Sequence, residues 1–455
     1  MKQKTTLNQF FRMVVLIALM FSSGKGAVYY VDPAGGDGAN DGSVERPWRT
    51  LEEVFQQGLI QTREYAQKPY KAGTSFKVKN SGGKVKGGDT ILLRSGDHGA
   101  IWMRGAYNTE PITIAAAKGH RPKLTSIMLS AASKWTLKGL IVSPEGSGDR
   151  KRRTLIMVES HGWHGPSSEV KIENCQVYSA ADSSKWSKED WNQLACDGIS
   201  VKGPGMIVRK NRIRNIAMGI VTSGNKNLIE HNLIENFSRD GIRHGGGDDV
   251  IFQYNTVKNC YDVSDNHDDG FQSYTGKSVS KRVILRGNVI INNDNPKQKF
   301  LGKLQGIGCF DGPYVDWIVE NNVVLVSHYH GITLDQAKNC RIVNNTTLDI
   351  TGEMPAWIRL SGKSSGCIVR NNLSRSIATK ADPEVRADHN LIIGNPADWF
   401  EDYKHHNVHL KSDSPAVDAG TAKMAPKKDA DGKPRPQGKG YDAGAYEYGP
   451  KNEEE

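Results

Sequence analysis

The sequence predicts an all-β solenoid, a parallel β-helix, and two columns of residues predict it. The first is X-Gly-Ile/Phe, seen at Asp197-Gly-Ile, Met218-Gly-Ile, Asp240-Gly-Ile, Asp269-Gly-Phe, Gln305-Gly-Ile and His330-Gly-Ile. Their glycines, 198, 219, 241, 270, 306 and 331, are spaced by 21, 22, 29, 36 and 25 residues, a period near 22 with insertions after the third and fourth copies. The second is an asparagine closing a short alternating stretch, as in Ile207-Val-Arg-Lys-Asn211, Leu228-Ile-Glu-His-Asn232, Ile251-Phe-Gln-Tyr-Asn255, Ile318-Val-Glu-Asn-Asn322 and Ile368-Val-Arg-Asn-Asn372. A repeat this short cannot bury an apolar face alone, but stacked coils can, each strand pairing in parallel with its counterparts above and below. An asparagine recurring at one turn then forms an amide ladder along the stack. The leucine/asparagine consensus of leucine-rich repeats is missing, and a propeller blade is longer.

Each segment has a place in this scheme. Lys2, Lys4 and Arg12 precede the apolar run Met13–Phe21 and the small residues that follow it. This is the layout of a secretory signal peptide over residues 1–26, too short for a membrane span. The chain is therefore expected to be secreted, periplasmic or extracellular, with no membrane span. Residues 27–385 carry the solenoid. Its N-terminal cap comprises a strand at Val28–Val31, a Gly/Asp loop and a short amphipathic helix around Leu51–Phe55. Insertions at 180–195, 261–268, 293–304 and 349–356 all enter just before the X-Gly-Ile strand, and loops lengthened on one side of a repeat array mark its binding face. From about 385 the repeat fades, and residues 386–455 are expected to form a C-terminal capping tail.

The formal charge is +10; without the four cations of the leader it is +6, a mild excess suited to a polyanionic ligand. The cysteines (175, 196, 260, 309, 340, 367) match no zinc spacing and are too sparse for a disulfide scaffold. They are expected to be small buried hydrophobes. Cys175, Cys260 and Cys340 each follow an Asn, which suggests one shared buried position.

The Tyr29-Tyr-Val-Asp opening with Pro47-Trp-Arg-Thr-Leu, the Asn-marked coils, and the tail Ser414-Pro-Ala-Val-Asp-Ala-Gly with Asp442-Ala-Gly-Ala-Tyr-Glu-Tyr resemble secreted bacterial right-handed parallel β-helix proteins of the pectate-lyase-like superfamily. The resemblance spans nearly all of the expected mature chain. It implies a carbohydrate-active enzyme: a polysaccharide lyase, a uronan C5-epimerase or a glycoside hydrolase. The Asp-Pro-His motif of alginate epimerases is absent.

Candidate site residues follow from strand alternation. With Ile199, Ile220, Ile242, Phe271, Ile307 and Ile332 pointing inward, an outward ridge carries Ser200, Val221, Arg243, Gln272, Gly308, Thr333 and Arg359. The residues before each glycine, among them Asp240, Asp269, Gln305 and His330, form a second ridge, with His244, Lys303 and His328 near the same edge. Removing the proton α to a uronate carboxylate needs a cation on that carboxylate and a base. Arg243, His244, His267 and Lys303 are the catalytic candidates. Asp240, Gln272, Gln305, His328, His330 and Arg359 are expected to bind substrate. Asp265, Asp268 and Asp269 resemble the acidic clusters with which calcium-dependent superfamily members hold Ca²⁺, the expected cofactor. The expected partner is an acidic polysaccharide, not nucleic acid, and the chain is expected to be a monomer. Paired carboxylates (Asp240 with Asp268 or Asp269) leave glycoside hydrolysis open. A non-catalytic carbohydrate-binding surface protein is the third reading.

Overall fold

The computed structural model describes residues 26–148, 151–276, 278–295, 297–379 and 384–449. Nearly all of the expected signal peptide lies outside the described residues. The chain is a parallel β-helix with three faces, a typical coil giving the first face Asp197–Lys202, the second Ile207–Arg209 and the third Arg212–Ile216. On the first face the strands run Asp197–Lys202, Ile220–Ser223, Ile242–His244, Asp269–Ser273, Gln305–Cys309, His330–Asp335 and Trp357–Ser361. They pair in the register of the glycine column: Ile199, Ile220, Ile242, Phe271, Ile307, Ile332 and Ile358 stack as one inward file. This file is buried in the core between the faces.

The column requires glycine for a local reason. A Cβ on Gly306 would sit 2.2 Å from the carbonyl oxygen of Gly331 in the next coil and 2.3 Å from a methyl of Val324. The first and third faces meet here too closely for any side chain.

The asparagine column is a ladder. Asn211, Asn232, Asn255, Asn288, Asn322, Asn345 and Asn372 are buried, and each donates its amide to the side-chain oxygen of the next coil's Asn, ending at Asn390. The preceding residue takes a left-handed conformation (Lys210, His231, Tyr254, Asn321, Asn344, Asn371), which turns the chain from the second face into the third. Asn174 occupies that left-handed position, and Cys175 fills the ladder position instead. All six cysteines are free and buried. They do not share one column: Cys175 lies on the ladder, Cys260 ends a third-face strand, and Cys340 precedes a second-face strand.

At the N-terminal end, Val28–Val31 pairs in parallel with Thr90–Leu93. The helix Leu51–Gln56, capped by the Thr50 hydroxyl, buries Leu51 and Val54 against the core. An antiparallel hairpin, Thr62–Tyr65 with Phe76–Lys79, stands beside it. The tail does not simply close the far end. Trp399, Phe400, Val408, Leu410, Ala443 and Ala445 pack sideways on Val323, Leu325, Leu348 and Leu373. Here the third-face strands are apolar on both sides, Val324 and Val326 facing the core and Val323 and Leu325 facing the tail. Among the described residues no helix is long and apolar enough to cross a membrane.

Candidate functional site

The long insertions meet on one side of the first face. Helix Lys188–Leu194 presents Trp191, which stacks on Tyr261 with ring centroids 4.5 Å apart. Asn192 donates to the carbonyl of Val263, and the Asp262 N–H donates to the carbonyl of Phe300. Trp191, Ala195, Ala217, Tyr261 and Val263 form a small core of their own, with Trp186 and Phe300 against it. The insertions thus build a wall beside the strands.

The first-face ridge runs as the alternation predicts: Ser200, Val221, Arg243, Gln272, Gly308, Thr333 and Arg359 are register neighbours on successive coils. At its centre the structure brings Asp240, Arg243, His267, Asp269 and Gln272 together. Arg243 grips buried Asp240 through Nε (2.7 Å) and Nη2 (2.5 Å) to Oδ2, while Oδ1 accepts the Asp269 N–H at 3.2 Å. His267 Nδ1 lies 3.2 Å from Asp269 Oδ2, and Gln272 Nε2 donates to the same oxygen at 3.3 Å. The Asp269 side chain is fully buried, whereas that of His267 is 61% exposed.

Burial pushes the Asp269 carboxyl up to about 7, and the His267 contact opposes the rise. The same hydrogen bond raises His267 above the usual imidazole range. Burial also raises Asp240, with Arg243 pulling the other way. Asp269 Oδ1 and Gln305 Oε1, on register-paired residues, are buried acceptors without a hydrogen-bond partner among the described residues. Gly308 makes room for the first of them, since a Cβ there would stand 2.3 Å from Asp269 Oδ1.

Further along the ridge lies a second group. His330 Nδ1 lies 3.0 Å from the Thr333 hydroxyl and accepts from Trp357 Nε1 at 3.3 Å. His328 stacks on His330, Tyr329 packs on Trp357, and the Arg359 guanidinium lies 5.3 Å over the Trp357 ring. Burial pushes His330 down to about 4, so it is a neutral hydrogen-bonding group at physiological pH. Burial also lowers His328, with exposed Lys303 adding to the effect. His330 is two coils from Asp269, roughly 10 Å at the usual strand spacing. The predicted substrate residues therefore divide between a central cluster and an aromatic one. Phe310, whose ring meets His330 edge-on with centroids 5.0 Å apart, joins Tyr329 and Trp357 in this group; the only sequence signal of the three is that they flank ridge positions.

Two expectations are corrected. His244 does not lie at the edge: the alternation continues past Arg243, so it turns inward, fully buried against Phe252 and Trp317, with Ser280 Oγ 3.2 Å from its Nε2. Burial holds it neutral, down at about 4. Asp265, Asp268 and Asp269 do not converge as a calcium site. Asp268 and Asp269 are consecutive and point opposite ways, Asp268 toward Cys260 Sγ (3.3 Å) and Asn266 (2.9 Å), and Asp265 is exposed. Among the described residues no three of His, Cys, Asp and Glu gather as a metal-binding group. These side chains, as placed, do not fit Ca²⁺, and no step here is derived through it.

Residues 162–347 match the family model described as a right handed beta helix region. The solenoid is a right-handed parallel β-helix. No curated protein matches the sequence. Among solved structures, a lacto-N-biosidase from Eubacterium ramulus is 14% identical with a TM-score of 0.48, over 81% of this chain and 68% of its own. Pectate lyase Pel9A is 15% identical with a TM-score of 0.41, over 93% and 97%. A mannuronic acid specific polysaccharide family 6 lyase from human gut microbiota is 13% identical with a TM-score of 0.42, over 70% and 88%. None of these likenesses carries a reaction to this chain.

Proposed function

We propose that the chain is a secreted polysaccharide-active enzyme that cleaves a uronate-containing polymer by β-elimination, with His267 as base and Arg243 at the substrate carboxylate. The observation that carries the proposal is the Asp269–His267 contact beside the Arg243–Asp240 pair. Asp269 fixes the imidazole through Nδ1, which leaves Nε2 of this exposed side chain as the base. Arg243, half-exposed above Asp240, has donors to spare for a carboxylate.

Neutralising the uronate acidifies its C5–H. His267 takes that proton, the C–H electrons form the C4–C5 double bond, and the C4–O bond breaks. The imidazolium returns the proton to the departing glycosidic oxygen. Proton transfer of this kind contributes about 10²–10⁴-fold in rate. Export through the N-terminal segment belongs to the same proposal, because a polymeric substrate does not cross a membrane.

A second reading, glycoside hydrolysis, is favoured by one feature: burial pushes the Asp269 carboxyl up to about 7, into the range that suits a general acid. Against it, both Asp240 oxygens are engaged, by Arg243 and by the Asp269 N–H. Incubation with polygalacturonate, alginate and neutral glycans separates the readings. Ultraviolet absorbance from an unsaturated uronate signals elimination, and reducing ends without it signal hydrolysis. The absence of both would leave a binding protein.

A further inference from the structure

The ridge that carries Arg243 continues well beyond the candidate site. Register pairing joins Trp102 to Met128, Met128 to Met157, Met157 to Ser200, Ser200 to Val221 and Val221 to Arg243. These five coil steps place Trp102 on the same outward file as Arg243, about 24 Å away at the usual strand spacing. Trp102 is 62% exposed, among the most exposed large apolar side chains described. Arg104, two residues on and therefore on the same side of the strand, lays its guanidinium 4.4 Å over the Trp102 ring. Both line a cleft of about 430 Å³ between the strand Ala100–Ala116 and the N-terminal helix, with Lys79 on its rim and Glu52 as the carboxylate among its lining residues. Lys79 Nζ donates to the carbonyl of Arg104 at 2.7 Å, which ties the hairpin to this strand.

We infer that Trp102 and Arg104 form a remote anchor that holds an acidic polysaccharide chain at the N-terminal end of the groove containing the His267–Asp269 centre. The chemistry has two parts. An exposed indole offers a flat apolar platform to the C–H face of a sugar ring, and stacking uses its area without burying a polar group. The guanidinium beside it supplies the donors and the positive charge that a uronate carboxylate needs. An isolated exposed tryptophan needs no such explanation; one in register with the candidate site, at a basic cleft, does. A polymer engaged at both places binds the second intramolecularly, so a weak anchor still raises apparent affinity. Chains too short to span the five coils gain nothing.

The inference rests on the proposed polysaccharide activity, and the test reads the two separately. Native gels cast with polygalacturonate or alginate measure retardation without any turnover. The full chain is expected to be retarded by at least one of them, and Trp102→Ala to lose about 10-fold in affinity, the effect of an aromatic hot spot, with Trp102→Phe retaining most of it. On whichever polymer is cleaved, the polymer-to-tetrasaccharide ratio of kcat/KM falls about 10-fold in Trp102→Ala. Unchanged melting temperature confirms that exposed Trp102 is not structural. Equal retardation of Trp102→Ala and the parent, no retardation of the parent by either polymer, or an equal loss on polymer and tetrasaccharide would each overturn the anchor. Retardation that depends on Trp102 without cleavage of any glycan would instead sink the enzymatic proposal and leave the anchor standing.

Discussion

His267 Nδ1 lies 3.2 Å from Asp269 Oδ2, and the buried carboxylate thereby orients an imidazole that is otherwise open to solvent. Replacing His267 with Gln is expected to lower kcat by about 10²–10⁴-fold with little effect on stability, since the side chain is exposed. Initial rates on the cleaved polymer, paired with thermal melts, check this.

The pH dependence follows from the same contact. His267 is raised above about 6.5, its ordinary value, and it acts as a base only when neutral. Activity is therefore expected to rise with pH through a midpoint above that value. Asp269→Asn removes the carboxylate that favours the imidazolium and moves the midpoint down. A kcat/KM–pH profile of both proteins reads the shift; a profile unmoved by Asp269→Asn would separate the dyad from catalysis.

Arg243→Lys keeps the charge and loses the fork that spans Asp240 and a substrate carboxylate. A rise in KM together with a fall in kcat is expected on an acidic polymer. Arg243→Ala also strands buried Asp240, costing about 2 kcal/mol, below the range for a fully buried pair because water screens the exposed arginine. Denaturant midpoints measure that loss.

Asn255 accepts from the amide and the backbone N–H of Asn232, and donates to Asn288 and to the carbonyl of Ile229. Asn255→Ala leaves several of these buried groups without partners, at about 2–4 kcal/mol. Near pH 4 the protonated Asn255→Asp side chain keeps an acceptor and one O–H donor, so it is expected to fall between Ala and the parent. At higher pH it is expected to approach Ala, as the buried carboxylate charges and loses that donor. Urea unfolding at two pH values distinguishes them.

Chelation provides the last test. Because Asp265, Asp268 and Asp269 diverge, excess EDTA is expected to leave initial rates unchanged. Activity lost to EDTA and restored by Ca²⁺ alone would show that the 261–268 loop rearranges around the ion.

The sequence made the solenoid legible because a parallel stack repeats its constraints. Gly306 and its counterparts stand where a Cβ would strike the next coil, and each ladder Asn must satisfy the Asn beneath it. A position constrained by its own copy leaves a periodic trace, and the outward ridge through Arg243 and Gln272 followed from it directly. His244 was misplaced because it lies at the end of its strand, where sequence does not show whether alternation persists. Asp268 and Asp269 read as one acidic cluster because adjacency in sequence says nothing about direction; Asp268 precedes the strand and turns to Cys260, whereas Asp269 opens it and meets His267. The wall around Trp191 and Tyr261 and the sideways tail on Val323 and Leu325 are aperiodic contacts between distant segments, which no repeat reports.

The ladder of asparagines also makes the protein a ruler. Each coil adds one outward ridge position and, from Asn211 onward, one rung, so groove length is counted in whole turns of chain at about 4.8 Å apiece. A coil excised between Ser200 and Arg243, from one X-Gly-Ile to the next, would let the rungs close on one another in register. It would also draw Trp102 one step nearer to His267. The shortest chain able to touch both would shrink by the same step, converting a deletion in sequence into a change in preferred polymer length.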